Sequence, residues 1–317
     1  MPQIFDLAIA WNWEHDADFV TLLKESCRDR GLSLLEITPR TLVSTIDRLQ
    51  SGELALRVLF DRAWDIDEAF YPLADWCRAN GARVLNDRPL ALRAWDKATM
   101  HLEFITAGLH TPYTIVLPPF NEAPSPPPPD LALLGDKFIL KPAHGGGGTG
   151  VTRDLATWTQ IQKVRQEFPT DKYLVQAWII PRRSESGPAW FRVLFAFGEV
   201  LPFWWNVQTH VYRLVTPAEE ARFGLSPLRD IARTIARINR LDLFSTEIAQ
   251  RDDDGVFVCV DYVNDPIDLR LQSKAVDGVP DAAVRLIAGR VAQCAMPHLD
   301  EGPRTKDESL LVNVNDK

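Results

Sequence analysis

Short apolar runs alternate with amphipathic stretches through the first quarter of the chain. Residues 4–10 read as a strand, and Asp16 stands where it would cap a helix through Arg28, with Phe19, Leu22, Leu23 and Cys27 on one face. Residues 32–37, 57–60 and 83–85 repeat the strand pattern, and residues 67–80 read as a helix that stops before Gly81. This alternation predicts an α/β unit over residues 1–85 built on a small parallel sheet. Ligands of such sheets sit beyond the carboxyl ends of the strands, here occupied by Trp11-Asn12-Trp13-Glu14-His15 and Asp61-Arg62-Ala63-Trp64.

The pattern then turns to α+β units. Asp96 caps a helix that contains Lys97 and stops at Gly108, and residues 111–116 form a turn and strand. Residues 118–129 are proline-rich and predict an exposed, extended loop. A strand from Phe138 follows, then a glycine run, then a helix over residues 154–168; these complete a unit spanning residues 86–172. A third unit, residues 173–300, is predicted to hold a strand and turn at 173–181 and a hairpin at 189–205. A helix at 225–241, strands at 247–250 and 256–263, and a helix at 280–294 complete it. Residues 301–317 read as a polar, flexible tail.

The chemistry concentrates where the Phe138 strand ends. It delivers Lys141, and Gly145-Gly146-Gly147-Gly148-Thr149-Gly150 follows at once. Glycine backbones approach phosphate closely and can turn their N–H groups toward it, while an ammonium adds a compact charge. The segment reads as a nucleoside triphosphate site. It is not a P-loop, because Val151-Thr152 follows Gly150 in place of the Lys-Ser/Thr pair. Four consecutive glycines also satisfy the dinucleotide spacing, but they lie deep inside the chain rather than after its first strand, and no acidic ribose residue stands at the expected distance.

A net charge of −8 argues against general nucleic-acid binding, and no apolar run is long enough to span a membrane. Cys27, Cys77, Cys259 and Cys294 are scattered and read as buried reduced thiols; no histidine spacing suggests zinc. The first residues carry neither a basic nor an apolar leader segment, so a cytoplasmic protein is expected.

Lys97 at a helix start, Lys141 before a glycine loop, and Glu247, Asp261 and Asn264 on a late hairpin together resemble the ATP-grasp superfamily, over roughly residues 86–273. The resemblance implies an ATP-grasp fold behind an N-terminal parallel-sheet domain. It implies that Lys97 and Lys141 contact ATP phosphates and that His144, Gly145, Gly146, Gly147 and Gly148 belong to the mobile loop over the triphosphate. It matches Gln176, Ala177, Trp178 and Ile179 to the hinge strand that reads adenine; many members carry Glu at the first position, and an amide can still accept from or donate to the base. Glu185, or Ser184 or Ser186, would meet the ribose. Arg192 would steady the transferring phosphoryl group, its alternative being a structural ion pair with an acidic neighbour.

Magnesium, with manganese as a substitute, would bind Glu247, Asp261 and Asn264. The usual pattern is Glu-x-Asn, whereas Asp261 and Asn264 are three apart and would point to opposite faces of a regular strand. A bulge would restore convergence, and Asp265 is the spare candidate. The implied activity is an ATP-dependent carboxylate–amine ligase acting through an acylphosphate and releasing ADP and phosphate. The alternatives are a phosphotransferase with a hydroxyl acceptor and a non-catalytic nucleotide binder. The partners expected are a small carboxylate and a small amine, with a second copy in a homodimer. Arg213, Arg270 and Ser273 are candidates to hold a substrate anion, and the tryptophans of Trp11–His15 and Phe203–Trp205 could line its pocket.

Overall fold

Four strands form a wholly parallel sheet in the computed structural model of the protein, which describes residues 1–296. They are β1 (Gln3–Ala10), β2 (Leu34–Ile37), β3 (Leu54–Asp61) and β4 (Arg83–Leu85), in the order β2-β1-β3-β4. The helices between them are α1 (Ala17–Arg28), α2 (Leu42–Gln50) and α3 (Tyr71–Ala79). α2 goes beyond the sequence expectation. Leu42 and Leu49 are buried and Ile46 packs beside them, but Ser44, Thr45 and Asp47 between them mask the helical period.

α4 (Arg88–Trp95) and α5 (Lys97–Thr106) meet at Asp96. The Asp96 carboxylate caps α5 as expected, accepting from the backbone of Ala98 and Thr99. The middle sheet is antiparallel, with β5 (Thr114–Leu117), β6 (Phe138–Pro142), β7 (Thr152–Leu155) and β8 (Tyr173–Ala177) in the order β5-β8-β6-β7. Two expectations change here. Residue 154 lies in β7 rather than opening a helix, because the edge of β6 offers it a ladder; α6 (Trp158–Val164) starts later, behind a Thr157–Gln160 capping box. β8, expected to open the third unit, is bonded on both sides into the middle sheet.

The chain then forms a small ribbon of β9 (Arg183–Ser184) and β10 (Gly187–Pro188), followed by β11 (Trp190–Ala196), β12 (Glu199–Trp205) and β13 (Tyr212–Leu214). α7 (Pro217–Phe223) and α8 (Pro227–Asn239) precede β14 (Leu243–Gln250) and β15 (Phe257–Asn264), and α9 (Asp281–Cys294) closes the described chain. The large antiparallel sheet has the order β13-β12-β11-β14-β15. α9 packs on α1, and its Val284, Ile287 and Val291 share a core with Phe19 of α1 and with Leu7 and Phe60 of the first sheet. The four cysteines are free, three of them buried. No described helix is long and apolar enough to cross a membrane. The predicted polar tail, residues 301–317, lies outside the described residues.

Asp16 sits at the head of α1, but its side chain makes no cap hydrogen bond there. It is 1% exposed and receives Arg62 Nε at 2.9 Å and Nη2 at 2.7 Å, while Nη2 also donates to the Ile267 carbonyl at 3.0 Å. One arginine therefore joins α1, the end of β3 and the segment after β15. Removing one partner leaves a buried charge unmatched, which costs about 3–5 kcal/mol. Asp16→Ala is expected to lower the urea unfolding free energy by that amount; a change under about 1 kcal/mol, the value of an exposed pair, would contradict this role.

Candidate active site

A cavity of about 1030 Å³ lies between the middle and large sheets. That is at the upper end of the roughly 300–1,000 Å³ of a single small-molecule site, so it has room for two ligands. Lys97, Lys141, the loop glycines 145–148 and the hinge residues 176–179 line one part; Arg192, Glu247, Asp261 and Asn264 line the floor.

Lys97 opens α5. Its backbone N–H donates to the Ala143 carbonyl at 3.0 Å and its ammonium to the Gly145 carbonyl, so it grips the root of the glycine loop. Lys141 reaches through the middle sheet to donate to the Val260 carbonyl at 2.9 Å, with its ammonium 5.3 Å from the Tyr262 ring centre. Burial pulls its pKa down to about 8; Lys97 pushes the same way, and Asp261 and Glu247 oppose. The loop joins β6 to β7 as a hairpin. Gly147 and Gly148 have φ of 60° and 80°, and a Cβ at Gly150 would come within 2.7 Å of Phe168.

His144 and Glu185 are not in the cavity lining. His144 turns to Asp171, with its N–H donating at 2.8 Å and Nδ1 at 2.9 Å, and Asp171 raises its pKa. Glu185 is exposed and pairs with Arg222, whereas Ser186, the alternative ribose contact, does line the cavity. Gln176, Ala177, Trp178 and Ile179 all border it.

Arg192 and Glu247 stand side by side in the β11/β14 ladder. Arg192 Nη1 donates to Glu247 Oε1 at 2.8 Å and Nε to Ser245 Oγ at 3.1 Å, and its guanidinium lies 5.1 Å from the Trp205 ring centre. Trp190 Nε1 holds the other Glu247 oxygen at 3.0 Å. The acidic neighbour weighed against a phosphoryl role for Arg192 thus exists, and it is itself a proposed ligand. Burial and Asp261 raise the Glu247 pKa, against Arg192 and Lys141.

The spacing problem at the metal strand is resolved by a bulge. Asp261 faces Glu247 and Asn264 faces Ser245, so β15 spends one residue more than β14 between these pairs. Asn264 thereby returns to the Asp261 side, and both border the cavity, with Asn264 Nδ2 donating to the Ser245 carbonyl at 3.4 Å. Burial would raise the Asp261 pKa, but Lys97, Lys141 and Arg192 outweigh it and keep the carboxylate ionised. The spare candidate, Asp265, is elsewhere: it is buried, its Oδ1 accepts from Asn86 Nδ2 at 2.6 Å, and burial raises its pKa to about 7. No group of three His, Cys, Asp or Glu side chains able to hold a metal occurs among the described residues. The protein offers two carboxylates and an amide. That oxygen set suits a hard cation whose remaining ligands are phosphate oxygens and water.

The far part of the cavity carries Trp205, stacked on His210 with ring centres 5.4 Å apart, and Tyr212, Arg213 and Arg270. Arg270 is already held by Asp268 at 2.8 Å and Asp277 at 2.9 Å. Ser273 instead bonds Asp281, and the 11–15 segment does not line the cavity. Two participants escaped the sequence reading: Tyr262 and His101, buried between Lys141 and Gln176. The one available signal is that Tyr262 follows Asp261 on an otherwise apolar strand.

No protein-family model matches the chain, and no curated protein does. Solved structures match along most of its length. A RimK-domain ATP-grasp protein from Sphaerobacter thermophilus gives a TM-score of 0.60 at 20% identity, over 90% of this chain and 98% of that one. The ATP-grasp ligase PsnB, solved with a minimal precursor, Mg and ADP, gives 0.58 at 14%, over 92% and 97%. D-alanine–D-alanine ligase from Bacillus anthracis, solved with ATP, gives 0.61 at 11%, over 90% and 94%. With its N-terminal parallel sheet, its two antiparallel sheets and the cavity between them, the chain has the ATP-grasp fold.

Proposed function

We propose that the protein is an ATP-dependent ligase that joins a carboxylate to an amine. The observation that carries this is the meeting of Lys97, Lys141, Arg192, Glu247, Asp261 and the glycine loop on one cavity. Three cations there face two carboxylates, so the site holds an excess of positive charge suited to a polyphosphate. Glu247, Asp261 and Asn264 would hold magnesium, which neutralises phosphate charge when bound. Lys97 and Lys141 bind the phosphates, and the hairpin loop covers them and excludes water. Gln176 to Ile179 hold the base.

Phosphoryl transfer asks mainly for positioning and charge stabilisation. Arg192, fixed by Glu247 and Ser245, is oriented to meet the γ-phosphoryl oxygens. The acceptor carboxylate oxygen attacks the γ-phosphorus, the bond to the β–γ bridging oxygen breaks, and ADP leaves. The amine then attacks the acyl carbon, phosphate departs with the bonding pair, and the amine loses a proton to give an amide. No nucleophilic side chain is needed: the buried Cys259 thiol is pushed up to about 12, and it does not line the cavity.

The test is phosphate release with magnesium and ATP across amino acids and small dicarboxylates, alone and in pairs. Release that needs both a carboxylate and an amine is expected. Transfer of phosphate to a hydroxyl acceptor without release, or pyrophosphate as product, contradicts the proposal. Lys141→Met is expected to weaken ATP binding by about 1.5–3 kcal/mol, the worth of a charge-assisted hydrogen bond; unchanged affinity in calorimetry removes the phosphate role of this lysine.

Lys141 also sets a pH dependence. Its pKa of about 8 in the free protein means that the charged form is lost as pH rises through 8. Bound phosphate favours that charged form, so binding takes up protons near this pH. ATP affinity is expected to fall above pH 8, approaching about tenfold per pH unit. A flat affinity profile from pH 7 to 10 would contradict the assignment.

A further inference from the structure

Gln176 is buried, and both N–H bonds of its amide are in use. Nε2 donates to the Tyr262 hydroxyl at 2.8 Å and to Thr114 Oγ1 at 3.0 Å. Thr114 Oγ1 in turn donates to the Pro112 carbonyl at 2.8 Å. The Tyr262 hydroxyl lies 2.6 Å from His101 Nδ1. Burial and the charge of Lys141 pull the His101 pKa down to about 4, so this imidazole is neutral, and in its Nε2–H tautomer it accepts the phenol proton at Nδ1. Each relay therefore runs from the amide through a hydroxyl to an acceptor.

Turning the amide over would set its oxygen against both hydroxyls. Both would then have to donate to it; His101 could answer at Tyr262 by changing tautomer, but the Pro112 carbonyl can only accept and would lose its hydrogen bond. The Thr114–Pro112 arm thus fixes the orientation, and Tyr262 accepts the second amide N–H. Gln176 Oε1 is what remains. It has no partner among the described residues, it is not among the polar atoms sealed from solvent, and its residue lines the cavity.

We infer that Tyr262, Thr114 and His101 lock the Gln176 amide with its oxygen toward the bound base, and that this acceptor selects a purine with a 6-amino group over one with a 6-oxo group. This rests on reading the cavity as a nucleoside triphosphate site. An adenine amine completes a hydrogen bond to Oε1. A 6-oxo purine sets one carbonyl oxygen against another in a partly dry site and leaves both unpaired. Tyr262 and Thr114 act through Gln176 and are positioning residues.

The experiment is calorimetric titration, in magnesium, of ATP, inosine triphosphate and inorganic tripolyphosphate into the wild-type protein, Tyr262→Phe and Thr114→Val. The wild type is expected to prefer ATP over inosine triphosphate about 10- to 100-fold. Each variant frees one amide N–H from its acceptor and is expected to cut that ratio at least about threefold, with tripolyphosphate affinity unchanged. A residue that merely held the fold would weaken both nucleotides alike. If Tyr262→Phe does not fold, Thr114→Val alone carries the comparison. Equal binding of the two nucleotides by the wild type, or an unchanged ratio in the folded variants, overturns the inference while leaving the triphosphate site standing. Failure of the wild type to bind any of the three overturns the triphosphate reading and this inference with it.

Discussion

The site depends on burying Lys141 and Arg192 against Glu247 and Asp261. Each of these charges would be costly alone inside the protein. Together they offset one another: Arg192 is bonded to Glu247, and Asp261 stays ionised because Lys97, Lys141 and Arg192 surround it. The balance is incomplete. Lys141 pays for its burial with a lowered pKa and has a backbone carbonyl, not a carboxylate, as its hydrogen-bond partner. An anion brought into the cavity would relieve that deficit. This deficit is the physical basis of the proposed polyphosphate site, in which the carboxylates hold the cations in place.

The fold makes this arrangement from backbone pairing. The β11/β14 ladder sets Arg192 beside Glu247, and the β14/β15 ladder sets Asp261 across from it. A single extra residue in β15 brings Asn264 to the same side. Lys141 comes from a different sheet, and its hydrogen bond to Val260 ties the middle sheet to the large one at the point where the charges meet. Lys97 then fastens the glycine loop to α5. The proposed phosphate and base ends of the cavity are linked through Tyr262, whose ring lies beside the Lys141 ammonium and whose hydroxyl accepts from Gln176.

Much of this was legible in the residues. The parallel sheet follows from apolar runs with helical intervals, and the lysine before the glycine run points to the proposed phosphate site without any tertiary information. The bulge was not legible, only required: an Asp-x-x-Asn spacing can converge in no regular strand, but nothing in the sequence says where the extra residue goes. β7 was hidden because Thr152-Arg153-Asp154-Leu155 has no strand periodicity; it forms because β6 presents an unpaired edge. The diversion of His144 to Asp171 and of Glu185 to Arg222 depends on partners 27 and 37 residues away, which local pattern does not reveal. The Tyr262–His101 pair is 161 residues apart, so its role as a clamp on Gln176 appears only once α5, β8 and β15 are packed.

The central claim is convergence of the cations and carboxylates on one magnesium-bound polyphosphate. A crystal structure with magnesium and a non-hydrolysable ATP analogue tests it most directly. The account requires the γ-phosphate near Arg192, Lys97 and Lys141 at the phosphates, and the metal between those phosphates and Glu247, Asp261 and Asn264. A nucleotide bound at another surface, with Lys141 still donating to Val260 and the cavity floor free of metal, would contradict it.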